Sequence, residues 1–398
     1  MAKTVIVKRS LPLQGDDHIE KNNKSGSSNI STKRPLELII VGASVRAVAF
    51  SALRAGFHPW CVDLFSDLDL ARSCSSIQLT DSYPNGFLTV IKEAPDAPWI
   101  YTGGLENYPK LVGQMANYRH LLGNNAKELR KSRHPHCLSN MAKKVGLNPP
   151  VWTHQPSSGN WLIKPLRGSG GHGIHRWKSG DRIDPQKEIL QEYLEGLSVS
   201  AVFCGFNQGS ILLGVTRQLV GELFLNAREF HYCGSVGPIQ LDGSQTRRLE
   251  DLGNHLAEEI GLRGLFGIDG ILTNGAFRPL EVNPRYTASI EILEMAMNTS
   301  ALAIHWGVFH GDTKPSKWGN SSGSCFAKGI YFAPEDINIP NSAMWLNDEV
   351  TGKAWAQKHP KWADLPRAGE FITVGRPILT LYSQGNDDIS CLEKLKKQ

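Results

Sequence analysis

Two carboxylates and an amide that read as one hairpin constrain this chain more than any other feature. Asp269 closes the run Leu265-Phe266-Gly267-Ile268, and Glu281 follows twelve residues later in Glu281-Val282-Asn283-Pro284-Arg285. The apolar run predicts a buried strand, Thr273-Asn274-Gly275 a turn, and Phe277 to Val282 an antiparallel partner, so Asp269 and Glu281 converge across the hairpin. With Asn283 they would offer hard oxygen ligands suited to Mg2+, or Mn2+, held between protein and phosphates. The spacing alone equally admits a hairpin with two solvated acids. A segment further upstream bears on that choice.

Trp161-Leu162-Ile163-Lys164-Pro165 reads as a short apolar strand, followed directly by Leu166-Arg167-Gly168-Ser169-Gly170-Gly171-His172-Gly173. Four glycines in six positions strip away side chains and let backbone N–H groups approach an anion. No Gly-Lys-Ser/Thr follows them and no helix opens on them, which excludes the Walker loop and the dinucleotide fingerprint. The lysine instead precedes the glycines. Alone this is a flexible turn; coupled to the distal acids it is half of a nucleotide clamp. A third piece, Ile189-Leu190-Gln191-Glu192-Tyr193-Leu194-Glu195-Gly196, is a strand running into an acidic, aromatic bend and continuing as Val199 to Phe203. Its edge would offer backbone groups to an adenine rim, although by itself it is an ordinary strand and turn.

Leu38-Ile39-Ile40-Val41 predicts a buried strand, Gly42-Ala43-Ser44 a tight turn, and Val45 to Ala55 a helix stopped by Gly56. A second strand, Trp60 to Leu64, carries Asp63 near its end. That βαβ start looks like a dinucleotide fold with Asp63 on a ribose. The turn lacks the three glycines of the fingerprint, so a preliminary α/β domain with a structural Asp63 is the expectation. A helix near Cys137 to Val145, ended by Gly146 and Pro149-Pro150, links it to the clamp. Leu249, Leu252, Leu256 and Ile260 share one face of a helix stopping at Gly261 and belong to the core. Beyond His310 the composition shifts to Pro, Gly, Ser and Trp, and Ala327 to Pro334 and Leu365 to Gly375 read as strands of a closing β-rich lobe.

At 398 residues and 40% hydrophobic, the chain has room for two or three domains with their own cores. Seven cysteines are scattered without CxxC or zinc spacing, which points to free thiols in a reducing compartment, and cytoplasmic location is the expectation. No apolar run approaches the ~20 residues that span a bilayer, and Met1 to Arg34 lacks the apolar core of a signal peptide. The net charge of +5 is partly carried by a Ser- and Asn-rich beginning, expected to be disordered over 1–35, and is not gathered into a stripe with interleaved aromatics. Nucleic acid is therefore not an expected partner, and an anionic small molecule fits better. The thirteen histidines give no pairable nucleophile and base, and there is no Gly-x-Ser-x-Gly elbow. Most histidines are expected to be structural, with His172 in the glycine loop the least settled.

The order of lysine strand, glycine loop, acidic hinge and D…E-x-N resembles the ATP-grasp superfamily, and more narrowly the predicted ATP-dependent carboligases related to biotin carboxylase. Leu121 to Asn124, Leu213 to Gln218, Tyr232 to Pro238 and Leu280 to Ser289 extend the resemblance across about residues 36 to 385. It implies an α/β (α+β ATP-grasp) fold: a Rossmann-like preliminary domain over 36–120, a two-lobed clamp over 121–310 with a lid subdomain of about 152–208, and a β-rich C-terminal lobe over 311–398. It implies ATP and Mg2+ as cofactors, with Lys164 and the loop Gly168, Ser169, Gly170 and Gly171 on the phosphates. Gln191, Glu192, Tyr193 and Leu194 would line the adenine, and Asp269, Glu281 and Asn283 would hold the metal. Arg285 would face the transferred phosphoryl group, making Arg285 and Lys164 the catalytic pair. The family's usual ribose acid is replaced by Ser198, and its usual lysine before the clamp by Arg133 or Lys131.

A carboxylate is nearly inert towards amines until its oxygen is converted into a leaving group, which phosphorylation achieves. The resulting expectation is a carboxylate–amine ligase acting through an acyl phosphate, with small-molecule acid and amine substrates, no membrane, and room for a homodimer. Two alternatives stay open: a carboxylase activating bicarbonate as carboxyphosphate, and a nucleotide-binding protein without turnover.

Overall fold

In the computed structural model, which describes residues 7–10, 36–80, 82–156, 159–311, 318–319, 322–347 and 359–398, the apolar run Glu37–Val41 is the second strand of a five-stranded sheet. The strands are β1 (Val7–Ser10), β2 (Glu37–Val41), β3 (His58–Asp63), β4 (Ser75–Leu79) and β5 (Trp99–Tyr101), in the order β1-β4-β3-β2-β5. β2 to β5 are parallel, and helices cover both faces, which is why Leu38 to Val41 are apolar without alternation. β1 pairs antiparallel with β4, so four residues of the beginning expected to be disordered form an edge strand. The remainder of 1–35 lies outside the described residues.

Asp63 at the end of β3 is fully buried and accepts the backbone N–H groups of Val45, Phe65 and Ser66. Burial pushes it up to about 7 against those hydrogen bonds. Its oxygens are engaged in closing a turn, in line with the structural reading rather than a ribose contact.

A second, four-stranded antiparallel sheet is built from β6 (Trp152–Thr153), β7 (Trp161–Pro165), β8 (His175–Arg176) and β9 (Glu188–Glu192) in the order β6-β9-β7-β8. It ends at Glu192. The strand that a lid reaching to about 208 would include, β10 (Leu197–Phe206), belongs instead to an eight-stranded antiparallel sheet. That sheet also contains β11 (Gly209–Val220), β12 (Tyr232–Ile239), β13 (Gly264–Thr273), β14 (Ala276–Asn283) and β15 (Cys325–Phe332). After the short β16 (Ile337–Asn338), β17 (Trp362–Ala363) and β18 (Phe371–Ile372), β19 (Pro377–Gly385) completes it in the order β14-β13-β10-β11-β12-β15-β19-β17. The expected closing lobe is thus largely an extension of the clamp's own sheet. Within Leu365 to Gly375 only Phe371–Ile372 is strand, paired with β16.

The helix Gly243–His255 buries Leu249 and Leu252 and then loosens into a π turn over Leu256–Ile260 before Gly261 ends it at φ +90°. The three parts are tied together by a buried ionic cluster. Arg46 from the first helix meets Glu291 of the helix Ala288–Met297, Asp364, and the Tyr382 hydroxyl at 2.9 Å, while Lys328 of β15 reaches Glu291 at 3.1 Å. Against the opposing pull of burial, Arg46 and Lys328 hold the Glu291 carboxyl well below the usual carboxylate range.

Candidate active site

The hairpin β13–β14 turns at Asn274 and Gly275, both at positive φ, as a two-residue turn of the mirror-image type requires. From the turn the strands pair regularly to Gly270 opposite Pro279, then a bulge at Leu280 shifts the register so that Asp269 faces Glu281. Directly opposed residues share a face of the sheet. Asn283, two positions further, returns to that face, and its Nδ2–H donates to Asp269 Oδ2 at 2.7 Å. The bulge therefore assembles the three expected ligands, and it sits on an edge strand where Pro279 is tolerated.

Alternation along β7 turns Trp161 and Ile163 inwards and Lys164 towards the hairpin, where its Nζ lies 2.8 Å from Glu281. Burial, and next the neighbouring Glu281 carboxylate, raise Asp269 to about 6; against burial, Lys164 and Arg133 draw Glu281 down to about 2. Two facing carboxylates with an amide suit a divalent cation, but no group of three or more His, Cys, Asp or Glu able to hold a metal occurs among the described residues. Phosphate oxygens would have to complete the shell, as is usual for Mg2+.

Above this pair, the glycine loop takes positive φ at Gly170, Gly171 and Gly173, a backbone path that glycine follows without strain. It rests against the segment 228–232: Tyr232 N–H donates to Gly170 O at 3.1 Å, and the His172 and His231 rings stack at 4.3 Å. A Cβ on Gly171 would lie 1.9 Å from Phe230 O. On the other side Arg133 Nη2 donates to Gly168 O at 3.3 Å, whereas Lys131 is exposed. Arg133 is thus the cation that faces the clamp.

The bend after β9 lines the same cavity, of about 720 Å3, through Glu192, Tyr193 and Leu194. Glu192 itself is spent on Arg278 at 3.0 Å and on the Val151 N–H, so its carboxylate fixes the bend to β14. Gln191 lines the cavity with a buried Nε2 that has no partner, and Ser198 lines it where the family's usual acid would be. Thr287, another lining residue, has an Oγ1 that is likewise buried and unpartnered. Arg285 lines the cavity too, 12% exposed, with Nη1 on Tyr286 O and Nη2 2.8 Å from Glu106. Unspent buried polar atoms on lining residues are what a cavity built for a polar ligand leaves behind.

Lys164, Ser169, Gly170, Gly171, Gln191 to Leu194, Asp269, Glu281, Asn283 and Arg285 line this cavity, Gly168 and Arg133 meet beside it, and Lys131 is exposed. Glu106, Asn107 and Arg217 were not foreseen. Arg217, on β11, faces the cavity without an acidic partner among the described residues. Glu106 and Asn107 follow Gly103-Gly104 in a polar loop after β5, and that glycine pair is the only signal that could have marked them. His305 is structural, as expected: Nδ1 accepts Leu265 N–H and Nε2–H donates to Leu122 O, both at 3.0 Å.

Residues 125–289 match the family model of an ATP-grasp domain. An uncharacterized protein of Methanocaldococcus jannaschii is 23% identical over 384 residues, 88% of this chain and 89% of the relative. Among solved structures, Rhizobium etli pyruvate carboxylase overlays with a TM-score of 0.67 at 14% identity over 91% of this chain, which spans only 37% of that longer protein. The biotin carboxylase domain of Hydrogenobacter thermophilus 2-oxoglutarate carboxylase, solved with MgADP, ADP and bicarbonate, overlays at 0.66 and 12% identity, covering 89% of this chain and 88% of that one. L-amino acid ligase from Bacillus licheniformis overlays at 0.64 and 14% identity, covering 92% and 97%. Residues 125–289 therefore match an ATP-grasp domain, and the chain as a whole shares its fold with biotin carboxylase-type proteins. No helix among the described residues is long and apolar enough to cross a membrane.

Proposed function

We propose that this protein is an ATP-dependent carboxylate–amine ligase that passes through an acyl phosphate and releases ADP and phosphate. The observation that carries the reading is the convergence of Lys164, Asp269, Glu281, Asn283 and Arg285 on one cavity beneath a glycine loop. A substrate carboxylate oxygen attacks the γ-phosphorus of ATP, and the bond to the bridging oxygen breaks to leave ADP. The amine then attacks the acyl carbon, phosphate departs with the oxygen that had attacked, and the amine's proton is lost to give the amide.

The chain's own residues supply position and charge rather than covalent chemistry. Lys164 brings a cation beside the acids, Arg285 places one at the transfer end, and the glycine loop excludes water that would destroy an acyl phosphate. Asp269, Glu281 and Asn283 would hold Mg2+ or Mn2+, which would neutralise charge on the phosphates. Gln191 and the bend 192–194 would seat the adenine, and Arg217 gives the anionic substrate an unpaired cation. The seven free thiols favour a cytoplasmic setting.

A carboxylase that activates bicarbonate is the second reading, favoured by the overlay with biotin carboxylase domains. ADP release measured over a panel of carboxylates, amines and bicarbonate separates the two. Release that needs both an organic acid and an amine is expected. Release that needs bicarbonate would install the carboxylase, and ATP binding with no release under any condition would contradict both.

A further inference from the structure

Arg285 and the glycine loop both line the cavity, and both are gripped by successive residues of one short turn. Leu105–Asn107 forms a single 3-10 turn after β5, anchored by Leu105, which is fully buried in the core of the first sheet. Gly104 enters it at φ +101°, and a Cβ there would meet Tyr83 Oη at 2.4 Å, so the turn has little freedom. Glu106 Oε1 accepts from both Nε and Nη2 of Arg285, at 2.9 and 2.8 Å. Its other oxygen is buried without a partner, so among the described residues Arg285 is the only cation this buried carboxylate serves. The next residue, Asn107, donates through Nδ2 to Gly168 O at 3.2 Å and accepts Arg133 Nη2 at 2.9 Å.

We infer that Glu106 and Asn107 are positioning residues that set Arg285 and the docked glycine loop from one rigid turn, so that the first domain takes part in phosphoryl transfer without touching the nucleotide. The inference rests on the ligase reading for the role of Arg285. Neither residue touches a reacting atom. Glu106 acts through Arg285, because a buried guanidinium that loses its acid is free to swing to other acceptors. Asn107 acts through Gly168 and Arg133, fixing where the loop's first carbonyl sits. Adjacent placement means that a shift of the turn moves Arg285 and the loop together.

Four proteins test the Glu106 half: wild type, Glu106→Gln, Arg285→Ala and the double variant, each assayed for ADP release from MgATP with the acid and amine of the panel that support it, and for ATP affinity. Glu106→Gln keeps the acceptor but loses the charge, and ADP release should fall about ten- to hundredfold, the range for losing a charged hydrogen bond, with ATP affinity nearly unchanged. In the Arg285→Ala background the same change should cost nothing further, because residues acting as a unit are not additive. Equal losses in both backgrounds would overturn the assignment. Glu106→Asp, which keeps the charge but not the reach, repeats the test if the glutamine variant unfolds. Asn107→Ala is read by amide exchange of the peptide 166–174 in nucleotide-free protein: faster exchange there, with the first sheet unchanged, is expected, and unaltered exchange would overturn the Asn107 half. A wild type that binds ATP but releases no ADP with any acid and amine of the panel would contradict the ligase reading itself, while the exchange measurement would still decide the Asn107 contact.

Discussion

Gly171→Ala should abolish turnover while leaving the fold intact. The added Cβ would stand 1.9 Å from the carbonyl oxygen of Phe230 and 2.8 Å from its carbonyl carbon. Backbone atoms cannot rotate away as a side-chain tip can, and Phe230 is itself held at φ +65°. To recover even 3.0 Å the loop must lift by about 1 Å, and a misplacement of that size can cost about 10²-fold in rate. The left-handed backbone adds roughly 1–2 kcal/mol for any residue with a Cβ. Gly180→Ala isolates this second cost, since Gly180 lies in the same lid at φ +99° with nothing within 4 Å. ADP release and thermal unfolding of the two variants make the comparison. Similar small losses of stability, with turnover lost only in Gly171→Ala, are expected. Wild-type turnover in Gly171→Ala would refute the idea that contact with segment 228–232 is the working position of the loop.

Glu281→Gln keeps shape and removes the charge facing Lys164. MgATP at about 100 times its dissociation constant should stabilise the wild type by roughly 2.7 kcal/mol, and the variant should lose the magnesium-dependent share together with turnover while its circular dichroism stays native. Loss of folded protein would instead make Glu281 a structural acid. Arg285→Ala should lower turnover more than ATP affinity, because its partner arises during transfer; equal losses would reduce it to a phosphate ligand. Burial lowers His305 from 6.5 to about 4. Above 6.5 both folded and unfolded chains carry a neutral ring. As pH falls from 6.5 to 4 only the unfolded chain takes the proton, so about 3 kcal/mol of stability drains away across that window. Denaturant unfolding of wild type and His305→Gln from pH 8 to 4 should show the wild type losing about 3 kcal/mol relative to the variant below pH 6.5, since the shifted acids Asp63 and Asp269 act in both, and parallel pH curves would refute it.

The hairpin was legible because its signals are local: an apolar run, Asn274-Gly275, and a partner of matching length. The bulge that brings Glu281 opposite Asp269 was not, because one extra residue at Leu280 leaves no mark in an apolar strand. Lys164 was legible from its place on a short apolar strand just before the glycines, and the choice of Arg133 over Lys131 was not, since it depends on which side of a helix end meets the clamp. The strand β15 was expected in a separate lobe because sequence reveals a strand but not its partner, and β19 was not foreseen. Pro366 and Gly369 broke up the run from Leu365, leaving two residues of strand. Glu106 and Asn107 escaped notice because their partners lie 179 and 61 residues away, and no periodicity spans such distances.

The most direct test of the central claim follows the oxygen. With 18O in the carboxylate of the acid that supports ADP release, one labelled oxygen should appear in the released phosphate, because the atom that attacks the γ-phosphorus leaves with it, and hydroxylamine should trap the same acid as a hydroxamate. Phosphate free of label from that acid, with label arriving from bicarbonate or from water, would contradict an acyl-phosphate ligase.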